Sequence, residues 1–195
     1  RVVGRCPARS HLFSLFGELV FDRGPAGIGI IWGFAGIGLL IGGLIGNKAG
    51  PRLSFNGYKR TIGVAYVIHG GAYILFSQAR DFHTALFYIA LSRAAVAVSS
   101  VLNMSQLLRR VPDELRGRVF ATLESITWSV MMLSMMGAGI ASVQYNPRII
   151  GAWSGLLSSS TALFWGWAHF SGRLPEPPPE GVEPKEIEVH GEPAV

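Results

Sequence analysis

Residues 26–46 read AGIGIIWGFAGIGLLIGGLIG, an apolar stretch of 21 residues without a charged side chain. A helix that crosses the hydrocarbon core of a bilayer needs about 20 mainly apolar residues, so this stretch is long enough to span a membrane. The whole chain has a matching composition, since only 15% of its 195 residues are charged and its mean hydropathy is +0.36. The sequence therefore predicts an all-α protein built from transmembrane helices.

Further apolar segments also reach the length of a membrane span. They are residues 61–79, 82–108, 119–145 and 149–170. With 26–46 they predict a polytopic helix bundle that occupies residues 26–172. Before it, residues 1–25 are expected to hold a truncated helix and an extracytoplasmic segment. After it, residues 173–195 are rich in Pro and Glu, which predicts a disordered cytoplasmic tail.

Lysines and arginines concentrate in two of the connections between the predicted spans. Residues 47–60 and 109–118 hold eight of them, whereas the connections on the opposite side hold three. Cytoplasmic loops of membrane proteins carry an excess of Lys and Arg, so we expect these two loops and the C-terminus in the cytoplasm, with the protein in the cell membrane. This topology accounts for the net charge of +5 and leaves no basic face that would indicate nucleic-acid binding.

The span 82–108 carries a polar sector along one helical face. Ser92, Ser99 and Asn103 fall within about 60° of one another at 100° per residue, and Arg93 lies on the adjoining strip. An arginine at the centre of a membrane helix costs about 2.5–3.5 kcal/mol, so the sector should face the bundle interior or a water-filled cavity. We expect these residues to line a substrate pathway. The alternative is that Arg93 is a structural tie to backbone carbonyls or to a carboxylate elsewhere.

A second stripe of functional interest lies on the span 119–145. Glu124, Trp128 and Met131 project from one side of the predicted helix. An acid beside an aromatic ring and a pliable thioether could accept a cationic or bulky amphipathic molecule. The alternative is a simple ion pair, because Glu124 lies only six residues after Arg118 near the cytoplasmic end.

Three glycines share one face of the first span. Gly38, Gly42 and Gly46 follow the spacing that lets a second helix backbone approach closely in membrane proteins. The sequence leaves open whether this contact slides during function or packs statically.

The sequence offers no catalytic, metal or cofactor arrangement, so we predict neither an enzyme nor a bound cofactor. The single Cys6 excludes a disulfide framework and a multi-cysteine metal site. Ser154 lies in a Gly-x-x-Ser-Gly turn that is one residue too long for an intramembrane serine protease, and His169 lies about 22 Å further along the same predicted helix. No phosphate-binding Gly-rich loop is present.

Two passages resemble the C-terminal half of a major facilitator superfamily transporter of the exporter-like branch. The first is FGELVF at 16–21 followed by the glycine-rich run 36–42, which is similar to the end of the family's seventh helix and to its eighth. The second is VPDELRGRVF at 111–120, which is similar to the family's Pro-x-Glu-x-Arg-Gly-Arg loop before the eleventh helix. The five spans would then be the eighth to twelfth helices.

The resemblance implies a twelve-helix bundle of two halves around a central cavity, which works by alternating access. It implies that the first and fourth spans border this cavity and that the third lines it. Lys48 and Arg52 match the basic members of a cytoplasmic gating motif, although residues 47–52 lack its acidic member. Arg116 and Arg118 fall in the arginine-rich loop, which would stabilise a closed state.

These observations lead us to expect a secondary transporter, a proton-coupled exporter of a small organic molecule, present as a C-terminal fragment. The chain begins with Arg1 and has five spans and a stub, so its expected partners are the missing N-terminal half, the lipid bilayer and the substrate. The alternative function is a non-transporting membrane scaffold, or a pseudo-transporter half, whose acidic tail recruits a soluble partner.

Overall fold

The computed structural model describes Phe16, Phe21 and residues 23–171, and these residues contain five α-helices. These are α1 (Gly24–Ala49), α2 (Phe55–Gln78), α3 (Phe82–Arg110), α4 (Asp113–Ala141) and α5 (Pro147–Phe170). A short 3₁₀ turn, Gly50–Arg52, follows α1. The predicted all-helical class is confirmed for the described residues. The tail expected in 173–195 and most of the segment expected in 1–25 lie outside them.

Local sequence signals set where the helices begin. The Ser54 side chain caps α2 by accepting a hydrogen bond from the Gly57 amide, at 3.2 Å. Asp81 caps α3 by accepting from the Thr84 amide and from the Thr84 hydroxyl, both at 2.7 Å. Short polar side chains favour such positions because they satisfy amides that have no partner inside the helix.

The structure corrects the boundaries of the two predicted basic loops. α1 continues to Ala49, which includes Lys48 in its last turn, and Arg52 lies in the 3₁₀ turn. α4 begins at Asp113, so Arg116 and Arg118 are helical and do not lie in a loop. The physical reason is that Pro112 and two acidic residues in the first turn start a helix outside the apolar stretch.

Four of the helices pack side by side in the order α1, α3, α2, α5. A buried cluster that contains Ile31, Phe76 and Ile89 holds α1, α2 and α3 together near one end. A second cluster, with Ile62 and Leu102, joins α2 and α3 near the other end. We call these four helices the packed body.

Glycines allow the closest approaches in the packed body. A Cβ atom on Gly38 or on Gly42 would collide with the backbone of Ala90 or Ala94 on α3, so α1 and α3 touch through their main chains. Gly46 continues this face, where an added Cβ would lie 3.1 Å from the Val101 side chain. The three glycines therefore form the α1 side of a tight α1–α3 contact.

A second close glycine contact joins α2 and α5. A Cβ on Gly155 would lie 2.8 Å from the carbonyl oxygen of Gly70, and a Cβ on Gly70 would collide with Ser159. At the end of this interface, the Arg148 guanidinium donates a 2.7 Å hydrogen bond to the carbonyl of Ala79. Small residues and one arginine thus fasten α5 to α2.

The helix α4 contrasts with the packed body, because none of its residues is buried. Its exposed apolar side chains include Leu123, Ile126, Val130, Met132, Leu133, Met136 and Ile140. At its start, Arg116 donates hydrogen bonds to the carbonyls of Leu108, at 2.9 Å, and Val111, at 3.2 Å. These bonds connect the beginning of α4 to the end of α3.

Three of the described helices are long and apolar enough to cross a membrane, which indicates a membrane protein. They are Gly24–Arg52, Phe82–Arg109 and Asp113–Ala141. Helices α2 and α5 have 24 residues each but do not reach the same mean hydropathy, because glycine, serine, tyrosine, histidine and tryptophan lower it. The two spans predicted there remain predictions.

Candidate ligand cavity between α3 and α4

A cavity of about 560 Å³ lies between the second half of α3 and the first half of α4. Its lining comprises Tyr58, Ser100, Asn103, Met104, Gln106, Leu107, Phe120, Leu123, Glu124 and Thr127. This volume falls within the range of about 300–1,000 Å³ that is typical of small-molecule sites. The lining combines an apolar surface with a few hydroxyl, amide and carboxylate groups.

Helical spacing explains why these side chains converge. On α3, Ser100, Asn103 and Gln106 recur every three residues and therefore share one face. On α4, Phe120, Glu124 and Thr127 recur at intervals of four and three residues. The cavity is the space between these two faces.

Asn103 is held by a contact with α2. The buried Tyr58 hydroxyl donates a 2.8 Å hydrogen bond to Asn103 Oδ1. The Asn103 amide nitrogen has no hydrogen-bond partner among the described residues, so the side chain presents a donor at the cavity wall. The bond therefore fixes the orientation of a group that a ligand can contact.

Glu124 is oriented by Trp128, one turn later on α4. The Trp128 indole Nε1 donates a 2.8 Å hydrogen bond to Glu124 Oε2. Within the described chain Glu124 forms no ion pair with Arg118; the ion pair in this region joins Arg116 to Asp113 at 2.6 Å. The ion-pair alternative for Glu124 is therefore not observed, and its second carboxylate oxygen remains accessible to a ligand.

The other residues predicted for the pathway occupy different places. Ser92 and Ser99 are buried inside the packed body, and Arg93 is half-buried beside them without lining the cavity. Met131 is exposed on α4, one turn beyond Thr127, which is the last cavity residue on that helix. Of the residues predicted for the pathway, the structure thus places Asn103 and Glu124 at one cavity, and Trp128 is hydrogen-bonded to Glu124. The other four lie outside the cavity.

Ser92 instead forms a polar contact with α2. His69 Nδ1 lies 2.7 Å from Ser92 Oγ and 3.2 Å from the Ser92 carbonyl, and Ser92 Oγ donates to the His69 carbonyl. Because that hydroxyl proton is used, the network assigns the ring proton to Nδ1. This pair is a structural link between two helices.

The basic residues predicted to gate the pathway gather at one end of the bundle. We define the basic end as residues 47–60 together with 109–118. A small cavity of about 60 Å³ lies there, lined by Asn47 and Pro51 on one side and by Gln106 and Arg109 on the other. The lining brings the segment after α1 against the end of α3.

Sequence reasoning missed Tyr58 as a site residue because it lies in the stretch assigned to a basic loop. The signal that could have found it is the Ser54 cap, which predicts a helix that starts before Tyr58. It also missed the α2–α5 contact, although Gly151, Gly155 and Ser159 carry a small-residue spacing of four.

No group of three or more His, Cys, Asp or Glu residues in the described part of the chain could hold a metal ion. Comparisons with protein-family models, with curated proteins and with solved structures find no match to the chain.

Proposed function

We propose that the chain is the C-terminal part of a secondary transporter of the major facilitator type, and that the α3–α4 cavity is part of its substrate path. The observation that carries the proposal is a cavity that contains several polar side chains and lies between two helices that can each span a membrane. Polar groups facing lipid are costly, so polar residues inside a span generally mark a ligand or ion pathway.

The uneven attachment of α4 supports this assignment. Arg116 connects the start of α4 to the end of α3, while no residue along the helix is buried. Alternating access requires one part of a transporter to move against the rest around the binding site. A helix that is held mainly at one end, beside a packed body, is suited to form the moving wall.

The basic end supports a cytoplasmic location for that side of the protein, since basic residues accumulate in cytoplasmic loops. In this proposal Lys48, Arg52 and Arg118 are exposed there and lie near the headgroups and the gate. Arg116 acts as the latch of the closed state through its bonds to α3 and to Asp113. Export and coupling to protons are proposed from the sequence resemblance alone.

The test is transport in membrane vesicles prepared from the source cells, so that any further part of the transporter is present. A panel of labelled organic compounds is offered under an imposed pH gradient. We expect at least one compound to be moved by the native protein, with the rate strongly reduced by Glu124→Gln and unchanged by Glu114→Gln.

The same vesicles separate transport from the scaffold alternative. Removal of residues 174–195 should leave transport intact. If no compound is moved, and removal of the tail abolishes the cellular phenotype of the chain, the transporter proposal is wrong.

A further inference from the structure

We propose that the α3–α4 cavity binds an organic cation that carries an apolar body, and that Glu124 supplies the counter-charge. This inference deepens the proposed function and rests on it, because it names the substrate class of the same cavity. It is carried by the charge distribution of the cavity lining and by the geometry of Glu124.

The charge of the cavity lining is one-sided. Glu124 is its acidic residue, and the described lining residues include no Lys, Arg or His. Glu124 is exposed to the cavity, and its negative charge attracts a cation and repels an anion. An anionic ligand would meet a like charge without a basic residue to compensate for it.

The nearest arginines along the two helices do not offset this charge. On α3, Arg109 lies three residues after Gln106 but lines the separate small cavity and not this one, and Arg93 lies ten residues before Asn103, about 15 Å along the helix axis. On α4, Arg116 forms an ion pair with Asp113. Arg118 lies six residues before Glu124, about 9 Å along α4, and its side chain is exposed. At about one Debye length, solvent and salt screen most of the interaction between Arg118 and the carboxylate.

A hydrogen bond orients the Glu124 carboxylate. Its Oε2 atom accepts the Trp128 indole proton at 2.8 Å, which fixes the carboxylate and leaves Oε1 for the ligand. The Trp128 side chain is itself half-exposed, so its ring adds a surface that attracts positive charge. Aromatic rings commonly take part in the recognition of ammonium-type groups.

The remaining lining indicates what is attached to the charge. Leu107, Phe120 and Leu123 form an apolar wall, while Ser100 and Thr127 provide hydroxyl groups. A ligand that pairs its charge with Glu124 can place a ring system or alkyl body against the apolar wall. The ligand class is therefore an amphipathic cation of drug-like size.

The test compares two probes of equal shape and opposite charge. Tetraphenylphosphonium and tetraphenylborate are titrated calorimetrically into the full chain in detergent micelles, with triphenylphosphine oxide as a neutral reference. Each titration is corrected with protein-free micelles, because these probes also partition into detergent. We expect saturable binding of tetraphenylphosphonium and no saturable binding of tetraphenylborate.

Variants show whether Glu124 is responsible. Glu124→Gln should weaken tetraphenylphosphonium binding about tenfold, because the Coulomb attraction of the counter-charge is lost. Glu124→Asp should retain part of the affinity. Glu114→Gln removes the same charge from α4 outside the cavity and should bind like the native chain. Circular dichroism checks that every variant is helical.

The outcomes separate this inference from the proposed function. Equal binding of both probes, or native affinity in Glu124→Gln, overturns the inference even if transport is observed. Binding that depends on Glu124 in a chain that never transports supports the cation site and contradicts the transporter. If Glu124→Gln does not fold, the comparison of the oppositely charged probes on the native chain still decides the charge preference.

Discussion

The phenolic hydroxyl of Tyr58 on α2 donates a hydrogen bond to Asn103 on α3, and His69 contacts Ser92 across the same two helices. The two contacts are eleven residues apart on each helix, which is about three helical turns. One face of α2 therefore follows the polar sector of α3 along its length. Near the basic end this face meets the cavity, so the Tyr58–Asn103 bond links the packed body to the ligand site.

We expect Tyr58→Phe to destabilise the protein by about 0.5–1.5 kcal/mol, because a partly buried interhelical hydrogen bond is lost while the ring is retained. The free energy of unfolding can be measured by titration with SDS in mixed micelles. Tyr66→Phe is the matched control, since the Tyr66 hydroxyl forms no hydrogen bond within the described residues. Equal effects of the two variants would contradict the role of the Tyr58 bond.

Gly42→Ala should destabilise the protein by about 1–3 kcal/mol, because the new methyl group forces α1 and α3 apart at Ala94. The adjacent Gly43 is the control: a Cβ there meets no atom within 4 Å, so Gly43→Ala should be nearly neutral. Thermal unfolding followed by circular dichroism distinguishes the two. A neutral Gly42→Ala would show that the close α1–α3 contact is not present in the membrane protein.

A larger side chain at the glycine contact between α2 and α5 should also destabilise the protein. Gly155→Ala should destabilise by about 1–3 kcal/mol, because its Cβ would press on the backbone of Gly70. Gly166→Ala, on the same helix but with open space around it, should have little effect. Proteolysis of the folded protein in micelles is a suitable second readout, since loosening of α5 should expose new cleavage sites.

The cap of α3 gives a pH-dependent expectation. Hydrogen bonds from the Thr84 amide and hydroxyl hold the pKa of Asp81 below its ordinary value of 3.8. A carboxylate with a lowered pKa in the folded protein stabilises it above the unfolded pKa, and this stabilisation is lost as the pH falls through the folded pKa.

Asp81→Ala should therefore reduce stability at neutral pH and lose its effect in strong acid. Unfolding of both proteins is compared at pH 7 and at about pH 2. A difference that is the same at both pH values would contradict the assignment of Asp81 as an ionised cap.

Periodicity in the sequence is sufficient to predict the helices and the polar sector of α3. It does not predict which neighbouring helix packs against each turn of α3. Ser92, Ser99 and Asn103 share one face, yet the first two are buried and the third opens to the cavity. The difference arises from position along the helix axis, because α2 follows α3 along its length whereas the cavity with α4 lies only beside the second half of α3. The angle of a residue around the helix axis gives no information on its position along that axis.

The charge pattern predicts the wrong boundary between the second basic loop and α4, and the reason is physical. The polarity of the segment that contains Arg116 and Arg118 predicts a loop, but a helix can continue beyond the apolar core into water. Pro112 and the acidic residues that follow it are the signals that start α4 six residues before the apolar stretch at Val119.

The most direct test of the central claim, a water-filled ligand cavity between α3 and α4, uses single cysteines in membranes after Cys6→Ser. Thr127→Cys lies in the cavity, whereas Met132→Cys lies on an exposed apolar part of α4. Reaction with a membrane-impermeant thiol reagent is followed with and without tetraphenylphosphonium. We expect Thr127→Cys to react and to be protected by the cation, and Met132→Cys to remain unreactive in lipid. Rapid reaction at Met132→Cys with none at Thr127→Cys would contradict the proposed cavity.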